Sequence, residues 1–243
     1  RDIIKFELTY QLGRYLTCLF FVAVLGLSFL TAYSMIDSVK AGDYFLNSPV
    51  VIAVIVAISS TFCLLISAAV AGNAGVRDLQ TGIHPLIYTT SLKKLSYLGG
   101  RFLASFLINI GVLLIILGLL FLFSIGPWGE EFFMPNRFVA YISAFLIFAI
   151  PNAFIGTAIL FSFAVITRSA MVSFLAAGLF FFLSLFSMDI LAGELGLWEL
   201  GKRLDLSGMT VLKELRLIQT PLEIPVQLVQ FNSSILENRL IWM

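Results

Sequence analysis

The run GVLLIILGLLFLF, residues 111–123, is apolar on every face of any helix or strand it could form. A strand of a membrane barrel alternates apolar and polar residues over about ten positions. A surface helix of a soluble domain keeps a polar stripe. This run does neither, and a second run, GLFFFLSLF at 178–186, repeats the pattern. Both read as helix inside hydrocarbon.

Working outward, the first run lies within a longer segment free of Asp, Glu, Lys and Arg, residues 102–129, and four more such segments occupy 15–36, 44–76, 138–167 and 169–188. A helix crossing the hydrocarbon core needs about 20 mostly apolar residues, and all five segments reach that length. The composition agrees: 60% of the chain is hydrophobic and 12% charged, far from the balance of a soluble domain. The expected fold class is an all-α integral membrane protein, with spans at 15–36, 50–74, 102–125, 138–166 and 169–190 in one transmembrane domain. A sixth helix is expected to start in ILENRLIWM, so the chain reads as a piece of a longer protein. The charges spread through RDIIKFELTYQLGR, with no small-residue cleavage site after the first apolar run, exclude a signal peptide.

Short-loop Lys and Arg set orientation. With the N-terminus in the cytoplasm, Arg1, Lys5, Arg14, Arg77, Lys93, Lys94, Arg101 and Arg168 fall inside, whereas the two short outer loops hold only Lys40 and Arg137. A cytoplasmic N-terminus is therefore expected. Residues 1–14 then read as an interfacial helix: Ile4, Leu8 and Leu12 recur at i, i+4, and Lys5 and Arg14 reach head groups.

The five charge-free segments hold no Asp, Glu, Lys, Arg or His, the groups that mark ion-coupled carriers and pumps. Cys18 and Cys63 fall within spans, as small hydrophobes do. Asn109 fits interhelical hydrogen bonding, with substrate contact as the alternative. Pro151 and Asn152 fit a kink, or a break lining a substrate path. No ring of charges or filter motif favours a channel. A bundle of this kind is driven from outside the bilayer or is a passive scaffold.

The cytoplasmic insert, residues 75–101, bears on that choice. It carries five charges and the only histidine. The second span is expected to continue through Ala74 to Gln80 and to stop at Thr81-Gly82. His84-Pro85 turns the chain. Thr89, Thr90 and Ser91 are N-cap candidates for a helix beginning at Leu92 and running through Arg101 into the third span. Such a structured elbow, fixed to two spans, serves either as a docking knob or as a loop that attracts head groups.

The stretch VRDLQTGIHPLIYTTSLKKLSYLGGRFL, residues 76–103, resembles the cytoplasmic loop of ABC-2 type exporter permeases. There an Arg-Asp or Arg-Glu pair, a Gly, a Leu-rich turn, Thr-Thr or Thr-Pro, and Tyr-Leu-x-Gly-Arg/Lys follow in that order. The likeness is greatest to large bacterial permeases, some of them fused to a metallo-aminopeptidase domain. It extends to FELTYQLGR, to RFVAYISAFLIFAIPNAFIGTAILFSFAVITRS and to ENRLIWM. Ile83 stands where the family commonly has Thr, Pro85 where it has an acidic residue, and Ser91 where proline is frequent.

The resemblance implies a type-2 exporter bundle in the bacterial inner membrane, whose residues 1–14 are the elbow helix. Arg77, Asp78, Leu79, Gln80, Thr81, Gly82, Ile83, His84, Leu86 and Tyr88 would couple it to a separate ATP-binding subunit that carries ATP and Mg. It also implies a second permease half, as a homodimer or fused, and a loop after the fifth span that packs over the outer mouth. That loop occupies residues 191–243, where 209–218 fit a short amphipathic helix with Leu212 and Leu215 on one side and Lys213, Glu214 and Arg216 on the other. No nucleic-acid partner is expected.

Catalytic signatures are missing from the sequence. One histidine cannot build H-E-x-x-H, and there is no G-x-x-x-x-G-K-[ST] phosphate loop. Neither catalysis nor a resident cofactor is expected. The competing reading is a non-transporting membrane scaffold or anchor for a partner protein or fused peptidase domain.

Overall fold

The computed structural model describes residues 2–34, 45–83, 85, 89, 94–125, 133–218 and 233–242. Among these, all regular structure is helical. A short helix α1 (Asp2–Leu12) leads into five helices long and apolar enough to cross a membrane: α2 (Tyr15–Ser34), α3 (Pro49–Gln80), α4 (Lys94–Ile125), α5 (Phe138–Thr167) and α6 (Ala170–Glu194). Three short helices follow, α7 (Trp198–Leu204), α8 (Met209–Ile218) and α9 (Ser233–Trp242). The architecture is that of a multi-pass membrane protein. The ILENRLIWM stretch lies mostly in the ten-residue helix α9.

Side-chain bonds between helices set the topology. At one end, which we call the near end because it carries α1, Glu7 meets Arg77 of α3 and Arg101 of α4. At the other, far end, Asn47 just before α3 bonds to Met134 and Asn136 just before α5. Between them Asn109 of α4 bonds to Ser67 of α3 and Thr157 of α5. Consecutive spans are thus antiparallel, with α2 running away from the near end.

The bundle is centred on α3 and α5, whose apolar windows are 78% and 67% buried, against 17%, 33% and 28% for α2, α4 and α6. Helix α3 takes the centre because its inward positions are small: Ala53, Ala57, Ser59, Ser60, Ser67, Ala68, Ala71 and Ala74 are all buried. Small side chains let neighbouring backbones approach on every side, the main device of helix packing where lipid is as apolar as leucine. The outer helices turn larger residues outward, such as Leu114, Leu122, Leu175, Leu179 and Phe182.

Three helices contain wider π turns, at Ala68–Gly72, Phe145–Ala149 and Ser187–Glu194. The second ends just before Pro151. Proline has no N–H to donate and its ring crowds the preceding turn, so a widened turn there lets α5 pass through the proline as one helix.

Candidate functional site

At the near end, four charges from three helices share one buried cluster. Arg77 donates from both Nη atoms to the Glu7 carboxylate at 3.0 and 2.9 Å. Arg101 donates to Asp78 at 2.8 Å to each oxygen and to the Ala74 carbonyl at 2.7 Å. The Arg101 Nε also lies 3.7 Å from Glu7. Gln11 donates to Glu7 at 2.9 Å and to the Val70 carbonyl, inside the first π turn, at 3.3 Å. The Tyr97 hydroxyl donates to Asp78. Arg77 stands over the Tyr10 ring at 4.2 Å and Arg101 over Tyr97 at 4.6 Å.

Two guanidinium groups face two carboxylates, so the cluster is charge-balanced. Glu7 is wholly buried and Arg101 nearly so. Charges taken out of water persist only when paired and hydrogen-bonded, and bidentate arginine–carboxylate geometry is the strongest way to do it. Consequently α1, the end of α3 and the start of α4 are fastened together.

The apolar series of α1 is not the face that packs on the bundle: Ile4 and Leu8 are half-buried and Leu12 is 59% exposed, and the fully buried side chains are Glu7 and Gln11. Carboxylate and amide win the inward face because Arg77 and Arg101 await them there. The apolar pattern located the helix but missed that face. The detectable signal was an acidic residue amid the basic ones of the same end.

Arg77 and Asp78 therefore point into the bundle. The residues beyond them turn outward: Gln80, Thr81, Gly82 and Ile83 are exposed, with Leu79 half-buried. Helix α3 ends at Gln80, and Gly82 takes a left-handed φ of 71° just past it, as a helix stop at glycine requires. His84, Leu86 and Tyr88 lie outside the described residues.

The second cluster is deeper and differently built. Asn152 donates to the Ser60 hydroxyl at 2.6 Å and to the Ser207 carbonyl at 2.9 Å. Arg239 of α9 donates to Asn152 Oδ1, to the Leu206 carbonyl at 3.3 Å and to the Ser207 carbonyl at 2.9 Å, and stands 5.3 Å over the Phe148 ring. Only 4% of Arg239 is exposed. At 1.5 Å per residue, Ser60 lies roughly 16 Å along α3 from Pro49 and roughly 25 Å from Arg77. The turn at residues 205–208 therefore reaches well inside the bundle.

That turn is held by Asp205, which is fully buried and accepts from the Ser207 N–H (2.9 Å), the Ser207 hydroxyl (2.7 Å) and the Thr210 N–H (2.6 Å). It anchors the start of α8, whose orphan N–H groups need an acceptor. Gly208 has φ 81°, and any Cβ there would collide with the Arg239 guanidinium. Only glycine fits at this bend. From here α8 returns along α3 with Val211 and Leu212 buried, while Lys213 bonds to the Met188 carbonyl and Asp189. The amphipathic reading of 209–218 holds for Leu212; Lys213 and Glu214 are half-buried rather than free.

Further toward the far surface, Lys202 sits between Glu199 at 2.6 Å and Glu214 at 3.1 Å. The Lys202 ammonium, by hydrogen bond and charge, holds the exposed Glu199 carboxyl below the usual carboxylate range.

Between the clusters, Asn109 donates to Ser67 and Thr157, both at 2.7 Å, linking α3, α4 and α5. Pro151 is buried beside Asn152. Compared with known protein families, with curated proteins and with solved structures, the chain matches none.

Proposed function

We propose that this chain is the permease half of an ATP-driven ABC-2 type exporter, placed in a bacterial inner membrane with the near end in the cytoplasm. ATP and Mg are held by a separate ATP-binding subunit, and a second permease half completes the path. The chain itself catalyses nothing and moves a substrate whose class its apolar walls do not define.

The observation that carries this reading is the fastening of α1, α3 and α4 by Glu7, Arg77, Asp78 and Arg101. A subunit that pushes on the exposed tip Gln80–Ile83 moves a lever already tied to the elbow helix and to the next span. Arg77 and Asp78 act by holding that lever, and the tip makes the contact. Because the bonds are short and buried, displacement passes to the bundle without first bending the joint. The apolar stretches 15–34, 49–76, 102–125, 138–167 and 170–188 of the spans hold no Asp, Glu, Lys, Arg or His, the groups that most often couple movement to protons, in keeping with drive from outside the bilayer.

The experiment is co-purification from native membranes of wild type and of a tip variant, Gln80→Ala with Thr81→Ala and Ile83→Asp, which spares the buried cluster. An ATP-binding subunit retained by wild type and lost with the variant is the expected result. If no such subunit is recovered, or its recovery ignores the tip, coupled transport fails and the scaffold reading takes its place.

A further inference from the structure

Helices α2 and α4 each pack along α3 but scarcely touch one another, which leaves a wedge-shaped crevice between them in the far half of the bundle. Its floor is Ile52 and Ile55 of α3, and its walls include Phe29 on one side and Ile116 and Leu120 on the other. The volume is about 300 Å³.

The polar groups on the lining are already engaged. Ser28 donates to the Val24 carbonyl at 2.8 Å and accepts from Ser59 at 2.9 Å. Asn47 donates to the Met134 carbonyl and accepts from the Met134 N–H, and Tyr141 bonds to Ser124. Apart from the exposed Tyr33 at the rim, these side chains offer an occupant no free hydrogen-bonding group, and a lining this apolar favours hydrocarbon over water. Phe29 and Phe123, with ring centroids 5.9 Å apart, flank a lateral mouth and are 57% and 40% exposed. That mouth lies between two membrane-crossing helices, so it faces bilayer, where hydrocarbon chains are the surrounding medium.

We propose that the crevice binds one acyl chain of a bilayer phospholipid from the far leaflet, its head group at the level of Asn47 and Asn136. The chain fills the wedge, where the far half of α2 is otherwise supported mainly along α3. This inference rests on the membrane architecture alone and stands or falls separately from ATPase coupling.

The test uses the full chain in vesicles of phosphatidylethanolamine and phosphatidylglycerol, doped with a phosphatidylcholine carrying a diazirine near the end of one acyl chain. After irradiation, adducts are mapped by peptide mass spectrometry. Labelling of Leu25 and Leu120, half-buried on the two walls, is expected to exceed that of Leu114, which faces outward on α4, by about tenfold. Leu119→Trp, which fills the mouth from a half-exposed position, removes that excess and leaves Leu114 unchanged; Ala32→Phe does the same from the opposite wall. Equal labelling of Leu120 and Leu114, or an excess that ignores both fillers, overturns the proposal. So does labelling by a free diazirine fatty acid but not by the phospholipid.

Discussion

The two buried arginine clusters solve the same problem in opposite ways. At the near end Arg77 and Arg101 meet the carboxylates of Glu7 and Asp78, so charge cancels within the cluster. Inside the bundle Arg239 has no carboxylate within bonding distance among the described residues and leans on an amide oxygen, two backbone carbonyls and an aromatic face. The first arrangement resists deformation because separating either pair strands a charge. The second is a set of dipoles around one cation, and it closes only when the 205–208 turn is in place. The near cluster is a joint; the deep one is a latch that holds the segment after α6 against α3 and α5.

The largest effect expected follows from breaking the joint. Glu7→Ala takes from Arg77 its bidentate partner, leaving the 3.7 Å approach to Asp78, and takes one carboxylate from the buried Arg101, a change worth about 3–5 kcal/mol when one partner of a buried pair is removed. A marked fall in apparent Tm in detergent should result, and the Glu7–Arg77 double-mutant cycle should show strong coupling; additivity would mean the joint is no unit. Arg239→Met tests the contrast. It removes the cation along with its desolvation cost and takes the Arg239 donor from the Asn152 amide oxygen and the Leu206 carbonyl, while the Ser207 carbonyl keeps its bond from Asn152, so the loss should be smaller, about 1–3 kcal/mol. Its signature is loss of protease protection around residues 195–218, with the near end undisturbed. A loss equal to that of Glu7→Ala would erase the distinction between joint and latch.

Asn109→Leu sharpens the comparison from between the clusters. It deletes two neutral hydrogen bonds, to Ser67 and Thr157, and interhelical bonds of this kind average about 0.6 kcal/mol each in a membrane. A drop of about 1 kcal/mol in an unfolding titration is expected.

The smallest effect belongs to Glu199. Its folded carboxyl titrates below the ordinary value of 4.5, so the pairing with Lys202 stabilises the fold above that value and is lost as pH falls through the lowered one. Because the carboxylate is exposed, a melting profile across acid pH should show only a slight difference between wild type and Glu199→Gln.

The five spans were legible because hydrocarbon disfavours charge: each long helix is built on one charge-free segment, and α5 runs between Arg137 and Arg168 almost to the residue, whereas α3, α4 and α6 extend as helix beyond the charges Arg77, Arg101 and Asp189. The end of α3 at Gln80 and the helix at 209–218 were legible from glycine placement and spacing. Which helix forms the centre was not read from hydropathy, since α4 is as apolar as α3 and far more exposed. Nor was the inward turn of Arg77, because a loop arginine and a buried one look alike until Glu7 comes within reach from seventy positions away.

By itself the sequence determined an all-helical membrane chain, its number of long apolar helices and the positions where they end, because these depend on local transfer of side chains and backbone into hydrocarbon. Only the tertiary structure decided that Glu7, Arg77, Asp78 and Arg101 form one joint and that Arg239 meets Asn152 and Ser207. It alone also left a crevice between α2 and α4. Those outcomes depend on which helices lie side by side, and the pairing of distant charges is settled by packing, not by spacing along the chain.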